Sequence, residues 1–206
     1  SSSFYDQDYY ERGLEAKKSA YQNYRWLPEL TCSLAMTIID FLGIKREHTI
    51  LDYGCSKGFL VKAFRLLYRQ AWGVDISEYA LSHVDPDFKQ YCCHVDALKN
   101  IGIDTFDFGI AKDVWEHCDP FNLRKTLKNL PVQTLFSVIP IGHNRVFNAP
   151  INNLDASHVI CEGGNWWRNI FHETGCVCTY FSHVLPGIKD SYIYYKDAHI
   201  FCVHVK

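Results

Sequence analysis

The ten residues Ile50-Leu51-Asp52-Tyr53-Gly54-Cys55-Ser56-Lys57-Gly58-Phe59 constrain the fold of this chain more than any other stretch. An apolar pair runs into an acid, two glycines bracket a short polar turn, and residues 59–67 then place apolar side chains at helical spacing. The pattern predicts a strand, a tight turn and a helix. Glycine removes the Cβ atoms that hold a ligand off the backbone, and a helix N-terminus presents unpaired N–H groups, so a ligand can lie against such a turn.

The rest of the chain repeats the unit. Pro28 opens a helix whose Leu30, Leu34, Ile38, Ile39 and Leu42 share a face until Gly43 stops it. Strands are expected over 49–53, 71–76, 89–95, 106–111 and 132–139, with a helix after the turn running to about Gln70 and a short one capped by Ser77. Asp119-Pro120 opens another helix and Asn165 caps a last one over 166–174. Two further strands, 176–184 and 198–205, read as a closing antiparallel hairpin joined through Pro186-Gly187 and Tyr192, Tyr194 and Tyr195. The expected architecture is α/β: a seven-stranded, mostly parallel sheet with helices on both faces and a C-terminal antiparallel hairpin, forming one domain over residues 1–206. Sheets of this kind bind ligands at the carboxyl ends of their strands.

Two irregular segments stand out. Residues 4–26 mix Tyr5, Tyr9, Tyr10, Tyr21 and Tyr24 with charge, and read either as a cover over the sheet edge or as a lid whose Tyr21, Tyr24, Arg25 and Trp26 face a ligand. The polar stretch 143–164 is long for an idle loop in a compact domain.

Charge and composition exclude several classes. Lysine plus arginine number 21 against 23 acidic residues, so no general basic field exists to hold nucleic acid or an anionic membrane. Nine cysteines without a Cys-x-x-Cys pair read as reduced, mostly buried thiols. No apolar run reaches the roughly 18 to 20 residues of a membrane span, so a soluble, cytoplasmic protein is expected. The dinucleotide fingerprint needs glycine at 54, 56 and 59, where this chain has Gly54, Ser56 and Phe59.

With Asp52 two residues before Gly54, the stretch Leu51-Asp52-Tyr53-Gly54-Cys55-Ser56-Lys57-Gly58 resembles the first motif of the class I, Rossmann-like methyltransferases that use S-adenosylmethionine. Ser56 replaces the usual middle glycine, a mild departure if its backbone angles are ordinary. Gly73-Val74-Asp75-Ile76-Ser77 resembles the second motif, His94-Val95-Asp96-Ala97 the third, and Phe106-Asp107 through Val114-Trp115-Glu116-His117 the fourth. The resemblance implies S-adenosylmethionine as cofactor, with S-adenosylhomocysteine as product. It implies that Asp52 and the turn amides, with Gly54, Cys55 and Gly58, face the methionine amino group, and that Asp75 accepts from both ribose hydroxyls. Ile76 would pack on the adenine, Asp96 would accept from its amino group with the Ala97 amide at the ring, and the backbone at Lys112 would touch the methionine end.

Asp155-Ala156-Ser157-His158-Val159 resembles a pattern of the small-molecule group called methyltransferase type 11 or type 23. The implied activity is methylation of an oxygen or nitrogen of a small molecule, a sugar or glycan precursor among the candidates. For a hydroxyl acceptor His158 is the first candidate base and His117 the second, with Asp113 and Glu116 able to orient either, and Trp115 falls on the substrate side. A histidine at 158 serves equally well to tie the long loop to the fourth-strand turn. Alternatives are an RNA or protein methyltransferase, a catalytically silent binding domain and an aminopropyltransferase. Asp113, Glu116, His117 and Asp155 could converge on a metal, but no ligand spacing demands one, and none is expected.

Overall fold

The computed structural model describes residues 2–186 and 197–206. Five strands alternate with helices: β1 (Thr49–Tyr53), α3 (Phe59–Leu66), β2 (Gln70–Asp75), α4 (Glu78–Ser82), β3 (Cys92–His94), β4 (Phe106–Lys112), α5 (Pro120–Asn129) and β5 (Val132–Pro140). Before them come α1 (Gln7–Glu11) and α2 (Pro28–Leu42). After them come the two-residue strands β6 (Gly142–His143) and β7 (Val146–Phe147), then α6 (Gly164–Glu173), β8 (Val177–Ser182) and β9 (His199–Val205). The main sheet has seven strands in the order β3-β2-β1-β4-β5-β9-β8. Strands β1 to β5 pair in parallel, whereas β9 runs antiparallel between β5 and β8, as the expected closing hairpin does. Its connection at Gly187, Tyr192, Tyr194 and Tyr195 lies outside the described residues.

Local chemistry explains most boundaries. Pro28 sits in the first turn of α2 and Gly43 ends it in the left-handed conformation, φ 64°. Ser77 caps α4 by accepting from Ala80 N–H, and Asp119 caps α5 by accepting from Phe121 and Asn122 N–H. Several boundaries differ from expectation. Helix α3 stops at Leu66, because Tyr68 turns left-handed (φ 55°) and Gln70 already pairs in β2. Strand β3 keeps three residues, because it is an edge strand paired to β2 alone and Lys89–Tyr91 coil into a 3-10 turn. Helix α6 begins two residues early, with Gly163 rather than Asn165 at its cap.

Two apolar cores sandwich the sheet. Leu34, Ile38 and Phe64 of α2 and α3 pack on one face, Leu123, Leu127, Trp167 and Phe171 of α5 and α6 on the other. Emptying one such position, for example Phe64→Ala, costs about 3–5 kcal/mol. No helix among the described residues is long and apolar enough to cross a membrane. Strand order reverses between β1 and β4: the chain leaves β1 toward β2 and returns to β4 on the other side. A crevice opens at such a point, beyond the carboxyl ends of the strands.

Candidate functional site

A cavity of about 990 Å³ fills that crevice. Ligand pockets run to about 1,000 Å³, so it has room for a cofactor and a modest acceptor together. Asp52, at the end of β1, forms part of its wall and is 4% exposed. Burial, and then the neighbouring Asp75, push its carboxyl up to about 7 against the pull of Lys112. Asp75, at the end of β2, accepts from Ser56 N–H at 2.7 Å on Oδ2 and from Ser77 N–H at 2.7 Å on Oδ1. Each oxygen keeps a lone pair for a further donor. Burial raises this carboxyl too, opposed by its backbone hydrogen bonds.

The turn between β1 and α3 is set by these bonds. Gly54 and Cys55 N–H both donate to Val74 O. A Cβ on Gly54 would lie 2.5 Å from Val114 Cγ2, so glycine lets the fourth-strand turn close over this backbone. Ser56 does not have ordinary backbone angles. It sits at φ 51°, in the left-handed region that favours glycine, and its Oγ is buried without a partner. That strain leaves its N–H aimed at Asp75.

The N-terminal segment covers the cavity. Tyr5, Tyr9, Tyr10, Tyr21, Tyr24 and Arg25 line it, with ring centroids 4.6 Å apart for Tyr21–Tyr24 and 5.0 Å for Tyr9–Tyr10. Burial pushes the Tyr5 and Tyr24 phenols up to about 12, so both stay protonated near neutral pH. Lys57, 7% exposed, staples the segment down: Nζ donates to Glu11 Oε1 at 2.5 Å and to Tyr24 O at 2.8 Å. Its burial, and hence this role, was not legible from the motif.

The other wall carries the histidines. His117 and His158 both line the cavity, and their ring centroids are 4.6 Å apart. His158 Nδ1 lies 2.8 Å from Asn152 O, which can only accept, so Nδ1 carries the proton and Nε2 presents a lone pair. His117 Nδ1 lies 2.8 Å from Ser157 Oγ, whose own proton goes to Asp155 Oδ1 at 2.5 Å, so this ring has the same tautomer. Both Nε2 atoms lie 3.8 Å from Oε1 of Glu116, which is fully buried and has neither carboxylate oxygen hydrogen-bonded. Burial, and then His158, hold the His117 imidazolium down to about 4, so the ring is neutral at ordinary pH. Burial, and then Asp113, push the Glu116 carboxyl well up. For Asp113 burial works upward, but Lys112 and then His199 outweigh it and hold the carboxyl below its usual value.

Other expected site residues separate. Cys55, Ile76 and Lys112 line the cavity. Gly58 caps α3 at φ 71° without lining it. Asp96 and Ala97 lie outside the lining as well: the chain coils into a 3-10 helix at Val95, and the Asp96 side chain is 90% exposed beside His94. Trp26 faces a shallow outer hollow, with Lys62 Nζ 4.8 Å from its ring centre. Trp115, expected on the substrate side, is a core residue instead. It is fully buried, stacks on Tyr53, and donates through Nε1–H to Ser137 Oγ at 2.9 Å.

Residues 51–130 match the family model described as a methyltransferase domain. That match and the fold together support a class I, S-adenosylmethionine-dependent methyltransferase domain of the type 11 kind around this part of the chain. No curated protein matches it. Among solved structures, an S-adenosylmethionine-dependent methyltransferase from Archaeoglobus fulgidus superposes with a TM-score of 0.59 at 16% identity, over 87% of this chain and 97% of that one. The 1,6-didemethyltoxoflavin-N1-methyltransferase of Burkholderia thailandensis, with bound 1,6-didemethyltoxoflavin and S-adenosylhomocysteine, gives 0.62 at 14% over 86% and 79%. A chain of the complex between the Haloferax volcanii Trm112 methyltransferase activator and a methyltransferase gives 0.61 at 13% over 84% and 89%. At these identities the likeness speaks to the fold alone. The site of this methyltransferase fits the cofactor on its own chemistry: Asp75 keeps two lone pairs for a diol, and a buried Asp52 stands ready for a cation.

Proposed function

We propose that this methyltransferase methylates an oxygen or nitrogen of a small molecule, with a hydroxylated, sugar-like compound the first candidate. The observation that carries the reading is the pair of imidazole Nε2 lone pairs, of His158 and His117, turned to one spot in the same cavity as Asp52 and Asp75. When bound, S-adenosylmethionine supplies a methyl group on a sulfonium, so transfer requires alignment and, for a protonated acceptor, a destination for the proton.

The residues divide those tasks. Asp75 holds the ribose hydroxyls with its remaining lone pairs, and charged acceptors make such bonds worth about 1.5–3 kcal/mol each. Asp52 and the Gly54–Cys55 backbone hold the methionine end, and Ile76 packs on the adenine. Tyr21, Tyr24 and Arg25 border the acceptor and keep bulk water out. Nε2 of His158 receives a hydroxyl proton, with Nε2 of His117 beside it. The tyrosine cover favours an acceptor that enters whole over a long polymer, and a net charge of −2 gives no field for RNA.

Calorimetry of S-adenosylhomocysteine against the wild type and Asp75→Asn tests the cofactor half: binding is expected, weakened about tenfold or more in the variant. A mass-detected methyl-transfer screen over sugars, phenols, amines and RNA tests the acceptor half. Turnover on RNA alone would overturn the small-molecule reading.

A further inference from the structure

The cluster Glu116–His117–His158 contains more than two bases need. One donor atom from each residue lies within 4.8 Å of the other two, and both Nε2 atoms stand 3.8 Å from Glu116 Oε1. Metal bonds of 2.0–2.2 Å put neighbouring donors roughly 3 to 3.5 Å apart, so a few tenths of an ångström of inward rotation per side chain suffices. The Glu116 carboxylate is the decisive group. A fully buried carboxyl group with no hydrogen bond on either oxygen is costly in either charge state, and here it is aimed between two imidazole lone pairs, where a cation would satisfy all three groups at once.

The surrounding hydrogen bonds have the form that metal-bound histidines use. Each ring donates its other N–H to an oxygen: His158 to a backbone carbonyl, His117 to Ser157, which in turn is held by Asp155. Tyr9 donates to the far oxygen of the same Asp155 at 2.6 Å. The donors also come from separate parts of the chain, brought together because Val159 and Ile160 N–H both donate to Glu116 O. That is why no ligand spacing in the sequence signals them.

We propose that Glu116, His117 and His158 bind one first-row divalent metal ion, whose remaining coordination positions open into the cavity and take an oxygen of the methyl acceptor. Two nitrogens and one carboxylate oxygen suit manganese, iron, cobalt or zinc better than the all-oxygen preference of magnesium or calcium. Three protein ligands leave positions free. An acceptor hydroxyl on the metal loses its proton more easily, because the cation stabilises the alkoxide oxygen; with both Nε2 lone pairs on the ion, that proton passes to water and so to solvent, and His158 takes it directly only in the metal-free chain. The acceptor clause rests on the methyl-transfer reading above; the metal site does not.

The test uses the full chain after chelation and dialysis, titrated with Mn²⁺, which avoids the nine thiols that would compete for softer ions. One Mn²⁺ per chain is expected, with imidazole nitrogen couplings in its electron spin-echo spectrum. Glu116→Gln and His158→Gln, each near-isosteric, should weaken binding more than ~100-fold, since even outer-shell partners are worth 10–100-fold. His83→Gln, on the exposed end of α4, should leave it unchanged. Absence of Mn²⁺ and Co²⁺ uptake, absence of nitrogen couplings in the wild type, or equal affinity in the two site variants would each overturn the proposal. S-adenosylhomocysteine calorimetry on the metal-free chain separates the two readings: failure there removes the cofactor assignment and leaves the metal result standing.

Discussion

Asp52 offers the sharpest test of how the site is built. Its carboxyl is raised from 3.8 to about 7, first by burial and then by Asp75. The unfolded chain ionises this group near 3.8 and the folded chain only near 7, so the native state loses stability as pH rises between those values. The contribution is fully present below pH 3.8 and gone above about pH 7. A gap of about three pH units corresponds to about 4 kcal/mol. Asp52→Asn removes the titration. Guanidinium unfolding should therefore show the variant gaining on the wild type from about pH 4 to pH 7, by up to about 4 kcal/mol, with no further gain above. A bound cationic amino group needs the carboxylate, so cofactor affinity of the wild type should rise with pH below about 7 and level off above, and the slope should vanish in the variant. A stability difference between the two proteins that stays constant across this range would refute the argument.

Ser56→Gly relieves the left-handed strain at φ 51° but adds chain entropy to the unfolded state, so a gain of up to about 1 kcal/mol in unfolding free energy is expected, with cofactor binding retained in calorimetry. Gly54→Ala drives a Cβ to 2.5 Å from Val114 Cγ2 at φ 83°; a loss of roughly 2–4 kcal/mol and of cofactor binding should appear in the same two measurements. Lys57→Met leaves Glu11 and the Tyr24 carbonyl without their buried cation, at a cost of about 3 kcal/mol, the low end for a broken buried pair because Glu11 keeps some solvent contact. Limited proteolysis of that variant should cut within residues 12–25 before the sheet opens, and simultaneous cleavage throughout would contradict a stapled cover.

Features decided within a few residues of one another were readable in the sequence. Asp52 and Asp75 each end an apolar run, so the strand pattern alone placed them on one rim. Asp96 followed the same logic and came out exposed, because β3 has one neighbour and ends at His94, before the chain could carry that side chain to the cavity. Trp115 looked like a ligand contact because it follows the fourth strand. Its place in the core depends on Ser137, 22 residues on in β5, which supplies the hydroxyl its indole N–H needs. Glu116 is the extreme case. An acid beside a histidine in a turn gives no sign of burial until the 155–160 stretch folds across it and hydrogen-bonds to its carbonyl.

That same stretch joins the cover to the histidine wall. Asp155 accepts from Tyr9 on one oxygen and from Ser157 Oγ and N–H on the other, and Ser157 accepts from His117. Ala156 N–H donates to Lys18 O, so the backbone of the N-terminal segment is tied to the loop as well. Lifting the cover withdraws the Tyr9 hydroxyl from Asp155. Asp155 then keeps only the Ser157 N–H and Oγ–H, both on its other oxygen, as its hold on the loop. The tautomer that turns His117 Nε2 inward is defined by that serine's proton being committed to Asp155. The tyrosine-rich segment thus reaches the histidine wall through one chain of hydrogen bonds, and Tyr9→Phe is expected to loosen the hold on His117, read as a shift of its ring resonances while those of His83 stay in place.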